Sequence, residues 1–271
     1  VCIEDLKVMD VIQPVRQIGR YDRHELYYQL FDVSAEQYSH LQGKSVGLIG
    51  AGGIGSTAAM LMGAAGLGRL VLADDDLLEE SNLPRVVLLE EEDIGTLKVE
   101  AIRRRLKARN SGCKIDVAVS KIHGPQDICR YFGDCDVWLL SADTPPVLIH
   151  EWTNQASLEM GIPYINAGYA EVNGMIGPFV IPGQTPCHKC RLLNGGLPSH
   201  GEQLNSRLQA TSYGPLNAIV SALAVNEVIR YLLGLEITSA GTQLIFNSAI
   251  YDVTRIRIEP SSDCECGASA S

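Results

Sequence analysis

Gly50-Ala51-Gly52-Gly53-Ile54-Gly55 is the stretch on which the reading of this 271-residue chain turns. Before it, residues 44–49 form a short apolar run that predicts a buried parallel strand. After it, residues 56–65 are mostly small or unbranched, as in a helix that packs closely on a sheet. Strand, glycine-rich turn and helix together make a nucleotide-binding fingerprint. Its glycines, Gly50, Gly52, Gly53 and Gly55, let the turn be tight, let phosphate approach the backbone and let the helix lie close to the strand. The helix N-terminus offers an anion unpaired N–H groups and partial positive charge. Residues 69–74 follow as a second strand ending in Asp74, at the spacing where a carboxylate takes a ribose hydroxyl. Taken alone, the glycines would also fit a purely structural turn.

Outward from this stretch, strands are predicted at 45–50, 69–74, 114–120, 136–141 and 163–167. Helices near 53–66, 96–109, 125–132 and 145–160 fill the gaps. That alternation predicts an α/β fold, a Rossmann-like mostly parallel sheet with helices on both faces. Upstream, residues 20–28 begin an amphipathic helix, and 39–43 read as a polar linker. After Tyr169 the pattern changes. Residues 174–181 read as antiparallel sheet, 191–213 as a polar loop, 215–234 as a long apolar helix, and 242–257 as two closing strands.

Composition narrows the partners. The net charge of −10 argues against a nucleic-acid partner held through its phosphates. The basic cluster Arg103-Arg104-Arg105-Leu-Lys107-Ala-Arg109 falls late in a predicted helix, where a solvated face accounts for it. No stretch is long and apolar enough for a membrane span, and no secretory signal is visible. The chain opens at Val1, so an upstream segment is expected. Of eight cysteines, four are grouped as Cys187-x-x-Cys190 and Cys264-x-Cys266, close pairs of the kind that ligate metal. A reducing cytoplasm fits that usage.

Between the second strand and the next helix lie Asp74, Asp76, Asn82, Arg85 and, opening the helix, Lys98. A triphosphate carries more charge than a dinucleotide and calls for cationic side chains and a metal. Arg85 and Lys98 are the candidate cations. Asp143 falls at the carboxyl end of a predicted strand, where open α/β sheets place ligands and where a carboxylate can hold Mg²⁺. The plainer alternative makes Arg85 and Lys98 surface charges and Asp143 a helix N-cap.

In order and in number these motifs resemble the ubiquitin-activating-enzyme-like superfamily, the ThiF/MoeB/HesA adenylating enzymes. The resemblance runs from Arg20 to Gly267 through Arg20-Tyr-Asp-Arg23, the glycine loop, Asp74-x-Asp76, Asn82-Leu-x-Arg85, Gly95-x-x-Lys98, Asp143, the first cysteine pair and the terminal Cys-Gly. It implies Mg-ATP as cosubstrate and adenylation of a carboxylate with release of pyrophosphate. It implies that Asp74 holds the ribose, that Asn82, Arg85 and Lys98 hold phosphates, and that Asp143 sits at the magnesium. It also implies that Arg23 reaches the ATP of a second subunit in a homodimer. Residues 1–43 would be an N-terminal arm and helix, and 44–271 the adenylation domain, with a nucleotide-binding part to 169 and a substrate and zinc part from 170.

Within the superfamily the chain resembles the MccB-type branch of microcin C and pantocin synthesis, through Ile165-Asn166-Ala-Gly-Tyr169, Gly177-Pro178, Pro182-Gly183-x-Thr185 and Leu204-Asn-Ser-Arg207. That likeness implies a ribosomally made precursor peptide as substrate. Members of the branch carry an N-terminal module that grips a leader peptide. It is absent from this sequence, which fits a chain whose start is missing. The competing reading is a sulfur-carrier adenylyltransferase of molybdopterin or thiamin synthesis; a non-catalytic scaffold and an NAD(P) enzyme are more distant.

The cysteines bear on mechanism. Relatives that form a thioester need a cysteine between the metal pairs, and none occurs between Cys190 and Cys264. The acyl adenylate would then be captured by a nucleophile on the substrate, without an enzyme thioester. Cys2, Cys113, Cys129 and Cys135 read as inert thiols. The metal site is expected to be a structural Zn²⁺ held by Cys187, Cys190, Cys264 and Cys266. Its second pair is one residue shorter than the family's usual spacing, and Asp263 is the alternative ligand to Cys264. His188 reads as a solvent-facing neighbour of the first pair, and His24 as either a helix-surface residue or one within reach of the site. Neither a GxSxG elbow nor a P-loop is present.

Overall fold

The computed structural model describes residues 19–194 and 211–268. The Leu204-Asn-Ser-Arg207 motif, Cys2 and most of the polar 191–213 stretch lie outside those residues. Five strands run parallel: β1 (Ser45–Ile49), β2 (Arg69–Ala73), β3 (Lys114–Ala118), β4 (Val137–Leu140) and β5 (Tyr164–Ala170). The antiparallel strands β6 (Asn173–Val180), β7 (Thr242–Asn247) and β8 (Asp252–Arg257) extend the sheet beyond β5, in the order β3-β2-β1-β4-β5-β6-β7-β8. The helices are α1 (Asp22–Gln29), α2 (Ala35–Ser39), α3 (Gly53–Ala65), α4 (Lys98–Arg109), α5 (Pro125–Phe132), α6 (Leu148–Met160), α7 (His188–Leu193) and α8 (Gly214–Leu232).

Period-two geometry divides the strand residues between two cores. Val46, Leu48, Leu70, Leu72 and Leu139 join Ala58, Met62, Ile102 and Val220 on the α3/α4/α8 face. Ile49, Val71, Trp138 and Leu140 join Ile128, Phe132, Ile149 and Ala156 on the α5/α6 face. Because both faces are covered, the strands read as continuous apolar runs rather than alternating ones. Each large side chain buried in this way contributes about 1.5–3 kcal/mol. Gly47 is glycine because Phe132 and Trp138 lie where its Cβ would go, at 2.7 and 2.9 Å.

The strand order reverses between β1 and β4. The chain leaves β1 towards β2 and β3, then returns to place β4 on the other side. A crevice opens at such a switch point, at the carboxyl ends of the strands.

The elements depart from expectation in four places. Residues 39–43 are no linker: Ser34 and Gln37 cap α2 reciprocally, and a 3₁₀ turn at His40–Gly43 buries Leu41. Helix α6 begins at Leu148 rather than 145, because Pro145 and Pro146 hold the chain before it out of helix. Strand β5 continues to Ala170 because it pairs with β6 along its length, from Tyr164↔Val180 to Ala170↔Asn173. Residues 188–193, in part assigned to a loop, form α7. The basic cluster is not simply solvated either. Arg104 and Arg105 pair with the carboxylate of Asp93, whose side chain is fully buried. Burial works to raise the Asp93 pKa, but the Glu90 N–H and Arg105 outweigh it and hold the carboxyl below its ordinary value. No helix among the described residues is long and apolar enough to cross a membrane.

Candidate active site

The glycine turn occupies the switch point. Gly50 has φ +93°, and a Cβ there would meet Ala142 N at 2.7 Å. A Cβ on Gly55 would lie 2.1 Å from Gly50 O and 2.8 Å from Ser141 Oγ. These two glycines are therefore required by packing between β1, α3 and the segment after β4. Gly52 is different: nothing lies within 4 Å of where its Cβ would be, so the turn leaves open space there. The absent side chain of Gly53 makes room for Asn217 Nδ2, 2.3 Å from its Cβ position, with Arg85 Cγ at 3.3 Å.

A chain of polar contacts runs from this turn to Lys98. The Ala51 N–H donates to Asp74 Oδ2 at 2.8 Å, and the Asp76 N–H donates to Asp74 Oδ1 at 2.9 Å. The Lys98 ammonium lies 2.8 Å from Asp76 Oδ2. Burial pushes the Asp74 carboxyl above the usual range, and the two N–H donors and Lys98 pull it back. Lys98 is only 8% exposed, so the surface-charge alternative does not describe it. Its position is set by the backbone. Lys98 N donates to Asp76 O, Leu78 N to Thr96 O, and Gly95 N to Leu78 O, a bridge that Asp93 anchors onto α4.

Asn82 is buried in a 3₁₀ turn that its own side chain caps, with Glu79 N donating to Asn82 Oδ1 at 3.3 Å. The Arg85 N–H donates to Asn82 O, and the guanidinium donates to Ser81 O at 2.6 Å. Arg85 thus stands beside the start of α3, packed against Gly214 at the start of α8. Asp143 follows β4 and is exposed, with Thr144 Oγ1 donating to it at 3.2 Å. It is not an N-cap: α6 has Val147 at that position and no side-chain cap. Asp143, Ser141, Asn166, His150, His188 and Arg191 line a cavity at the carboxyl ends of β4 and β5, bounded on the α3 side by Ile54.

Arg23 does not join this cluster within its own chain. Its neighbours Tyr21 and His24 pack at the far end of α3. The Tyr21 ring covers Gly66, and His24 Nδ1 lies 2.8 Å from Tyr38 Oη, which donates to Ala65 O. Thirteen residues of α3 separate that end from the glycine turn, about 20 Å. His24 is accordingly a helix-surface residue.

The four paired cysteines converge. Their sulfurs all lie within 4.8 Å of one another, with Cys187–Cys264 and Cys190–Cys266 both at 3.5 Å and Cys187–Cys190 at 4.0 Å. A tetrahedron with Zn–S bonds of 2.3 Å has edges of about 3.8 Å, so the donor set and spacing fit zinc. Asp263 is outside the group and exposed.

Sequence reasoning missed or misplaced three side chains. His188 is 4% exposed rather than solvent-facing, because the turn that brings Cys187 and Cys190 together drives it inward. Its ring stacks on His150 at 5.6 Å and 18°, and Nε2 has no hydrogen-bond partner among the described residues. An unpaired buried ring nitrogen costs about 1–3 kcal/mol. Burial, helped by His150 and Arg191, pushes the His188 pKa down to about 3, so the ring is neutral. Asn217, buried at 1% beside Gly53, is one of two amides in an apolar helix, and nothing in the sequence set it apart from Asn226. Arg191 at the cavity carried no signal in the sequence.

A parallel sheet with a glycine turn at its switch point, acids after β2 and an aligned lysine define a nucleotide-binding enzyme of the adenylating class. The ThiF family profile matches residues 21–268, and the chain belongs to that family: it is an ATP-dependent adenylyltransferase. It is 28% identical to the sulfur carrier protein ThiS adenylyltransferase of Escherichia coli K12 over 94% of this chain and 97% of that one. It superimposes on E. coli MccB with ATP at a TM-score of 0.84 and 28% identity, over 94% of this chain and 75% of that one. With MccB bound to AMPCPP and MccA the values are 0.83 and 30%, over 93% and 75%.

Proposed function

We propose that this enzyme adenylates a carboxylate of a ribosomally made precursor peptide, and that a nucleophile on the substrate then captures the acyl adenylate. The observation that carries the catalytic part is the continuous contact chain from the glycine turn through Asp74 and Asp76 to the buried ammonium of Lys98. Asp74 takes the ribose, while Asn82, Arg85 and the N–H groups opening α3 meet the phosphates. Asp76 holds Lys98 in a charge-balanced position until phosphate oxygens compete for it. The exposed Asp143 would hold Mg²⁺, which supplies further neutralisation of phosphate charge when bound. The cysteine cluster would hold Zn²⁺ as a structural tie. The peptide assignment is supported by the likeness to MccB, which has been crystallised with MccA. Capture without an enzyme thioester is supported by the absence of any cysteine between Cys190 and Cys264.

With Mg-ATP and acceptor the products are expected to be AMP and pyrophosphate; ADP and phosphate would mean carboxyl phosphorylation instead. Sulfur-carrier adenylation is the second reading, favoured by the likeness to the ThiS adenylyltransferase. Pyrophosphate exchange with a Gly-Gly-ended carrier and none with peptides would establish it.

Arg23 lies far from the glycine turn of its own chain, which supports a role across a two-fold dimer. In that arrangement, Arg23→Ala and Lys98→Ala variants mixed with subunit exchange regain about a quarter of sites, since one hybrid site carries neither lesion. No recovery in exchanged mixtures would remove Arg23 from the site.

A further inference from the structure

We propose that Asn217 is a positioning residue for Arg85: its buried amide oxygen accepts the Arg85 guanidinium when a nucleotide's phosphates draw that side chain from Ser81. The inference rests on the phosphate role given to Arg85 above and is independent of which acceptor the enzyme adenylates.

The start of α8 is seated on the segment that carries Arg85. A Cβ on Gly214 would meet Pro84 O and lie 3.4 Å from Arg85 Cα, so glycine lets the helix approach that backbone. Asn217 stands three residues on, hence on the same side of α8, and its N–H donates to Tyr213 O at 3.0 Å. From there its amide reaches the first residue of α3. Asn217 Nδ2 lies against the space that a side chain on Gly53 would take, and so does Arg85, with Cγ at 3.3 Å and O at 3.2 Å from that Cβ position. The amide is thus wedged between two of the groups assigned to phosphate, the opening of α3 and the stem of Arg85.

The two polar atoms of the amide are placed differently. Nδ2 donates to Ser212 Oγ at 3.2 Å, and the same oxygen accepts from Tyr169 Oη at 2.9 Å. With both lone pairs of Ser212 Oγ engaged, the amide is held with its nitrogen toward that hydroxyl. Oδ1 is left on the other branch, without a hydrogen-bond partner among the described residues, in a side chain on a residue 1% exposed. A buried carbonyl oxygen in that state is costly, which points to a donor that arrives with a ligand. Arg85 has donors to spare. A guanidinium carries five N–H groups, and Nη1 meets Ser81 O at 2.6 Å. A bidentate hold on phosphate would turn the fork toward the start of α3, beside Asn217, and an N–H directed away from phosphate would then meet Oδ1. The amide would fix the fork in the one orientation that phosphate needs.

The test is titration of the full chain with Mg-ATP and, by competition, with adenosine, which has no phosphate. Asn217→Leu keeps the branched shape and removes both polar atoms, and Asn217→Ala removes them without overpacking the site. Each is expected to bind Mg-ATP about 10-fold more weakly, the range of one charge-assisted hydrogen bond, with adenosine binding unchanged. Tm without nucleotide should stay level in at least one of the two, because the unpaired oxygen is gone. Adding either substitution to Arg85→Ala should weaken Mg-ATP binding by less than about 2-fold further, since the amide then has no guanidinium to hold.

Equal losses for Mg-ATP and adenosine, or a lowered Tm in both variants, would make the amide a packing group and overturn the proposal. So would a full further loss in the Arg85→Ala background. Unchanged Mg-ATP affinity in the Asn217 variants overturns it while the phosphate role of Arg85 stands. If Arg85→Ala itself binds Mg-ATP normally, that role fails and takes the proposal with it.

Discussion

Lys98→Ala is expected to lower pyrophosphate exchange by about 10²–10³, equivalent to roughly 2.7–4 kcal/mol of transition-state stabilisation. When a carboxylate attacks the α-phosphorus, two anions meet and charge builds on the non-bridging and leaving oxygens. The Lys98 ammonium is 10% exposed at its side chain and already placed by the backbone bridge to Asp76. In the proposed reaction it would meet that charge without the reorientation that water would need. Asp76 is 62% exposed, so removing its partner leaves a carboxylate that water can solvate. The stability cost should accordingly be about 1 kcal/mol or less. A large loss of rate with little loss of Tm is therefore the signature. Lys98→Arg should rescue only in part, because a planar fork does not replace a compact ammonium. Near-normal exchange by a folded Lys98→Ala enzyme would leave Arg85 as the principal cation.

The features legible in the sequence were those whose physics is local. The glycine turn needs its glycines largely for local reasons, since Gly50 takes φ +93° and a Cβ on Gly55 would meet Gly50 O. The strands declared themselves because burial on both faces requires uninterrupted apolar runs. The cysteine pairs were legible because ligand spacing is a property of short segments. His188 was not. Whether a residue inside a Cys-x-x-Cys turn faces water or the interior depends on α6 lying against it, and nothing in residues 187–190 encodes that packing. Asp93 shows the same limit. It is one of the acids in residues 90–93, yet it alone is buried, paired with Arg104 and Arg105 11 and 12 residues on, while Glu90 meets Arg105 from the exposed side. Arg23 marks a third kind, since from the far end of α3 it would serve the site only through the second chain proposed above.

Removal of metal from the cysteine cluster is expected to lower Tm by roughly 8 °C. The pair on α7 and the pair at the C-terminal turn are brought together by the fold, and the cross-linked segment between Cys190 and Cys264 spans about 75 residues. Closing a loop of that length removes about 4.5 kcal/mol of unfolded-state entropy in the chain-entropy treatment of cross-links. A chain of this size loses roughly 0.6 kcal/mol of stability per degree near its midpoint, which gives the shift. Among the described residues the turn is otherwise held by a bond from Gly183 N to Cys266 O at 3.2 Å, by Asn194 Nδ2 donating to Glu259 O at 2.6 Å and by burial of Ile258 and Cys266, beside the half-buried Cys264. Cys264→Ser should therefore reproduce the effect of a chelator and reduce bound zinc measured by elemental analysis. Asp263→Ala should change neither, because Asp263 lies outside the sulfur cluster. Cys113→Ser supplies the control for thiol loss. That thiol is buried and lies outside the sulfur cluster, so its loss leaves the cluster intact. If the protein as purified contains no zinc and its Tm is indifferent to chelation and to Cys264→Ser, the four thiols are a packed core of small apolar residues. The tie between α7 and the chain terminus would then rest on ordinary burial.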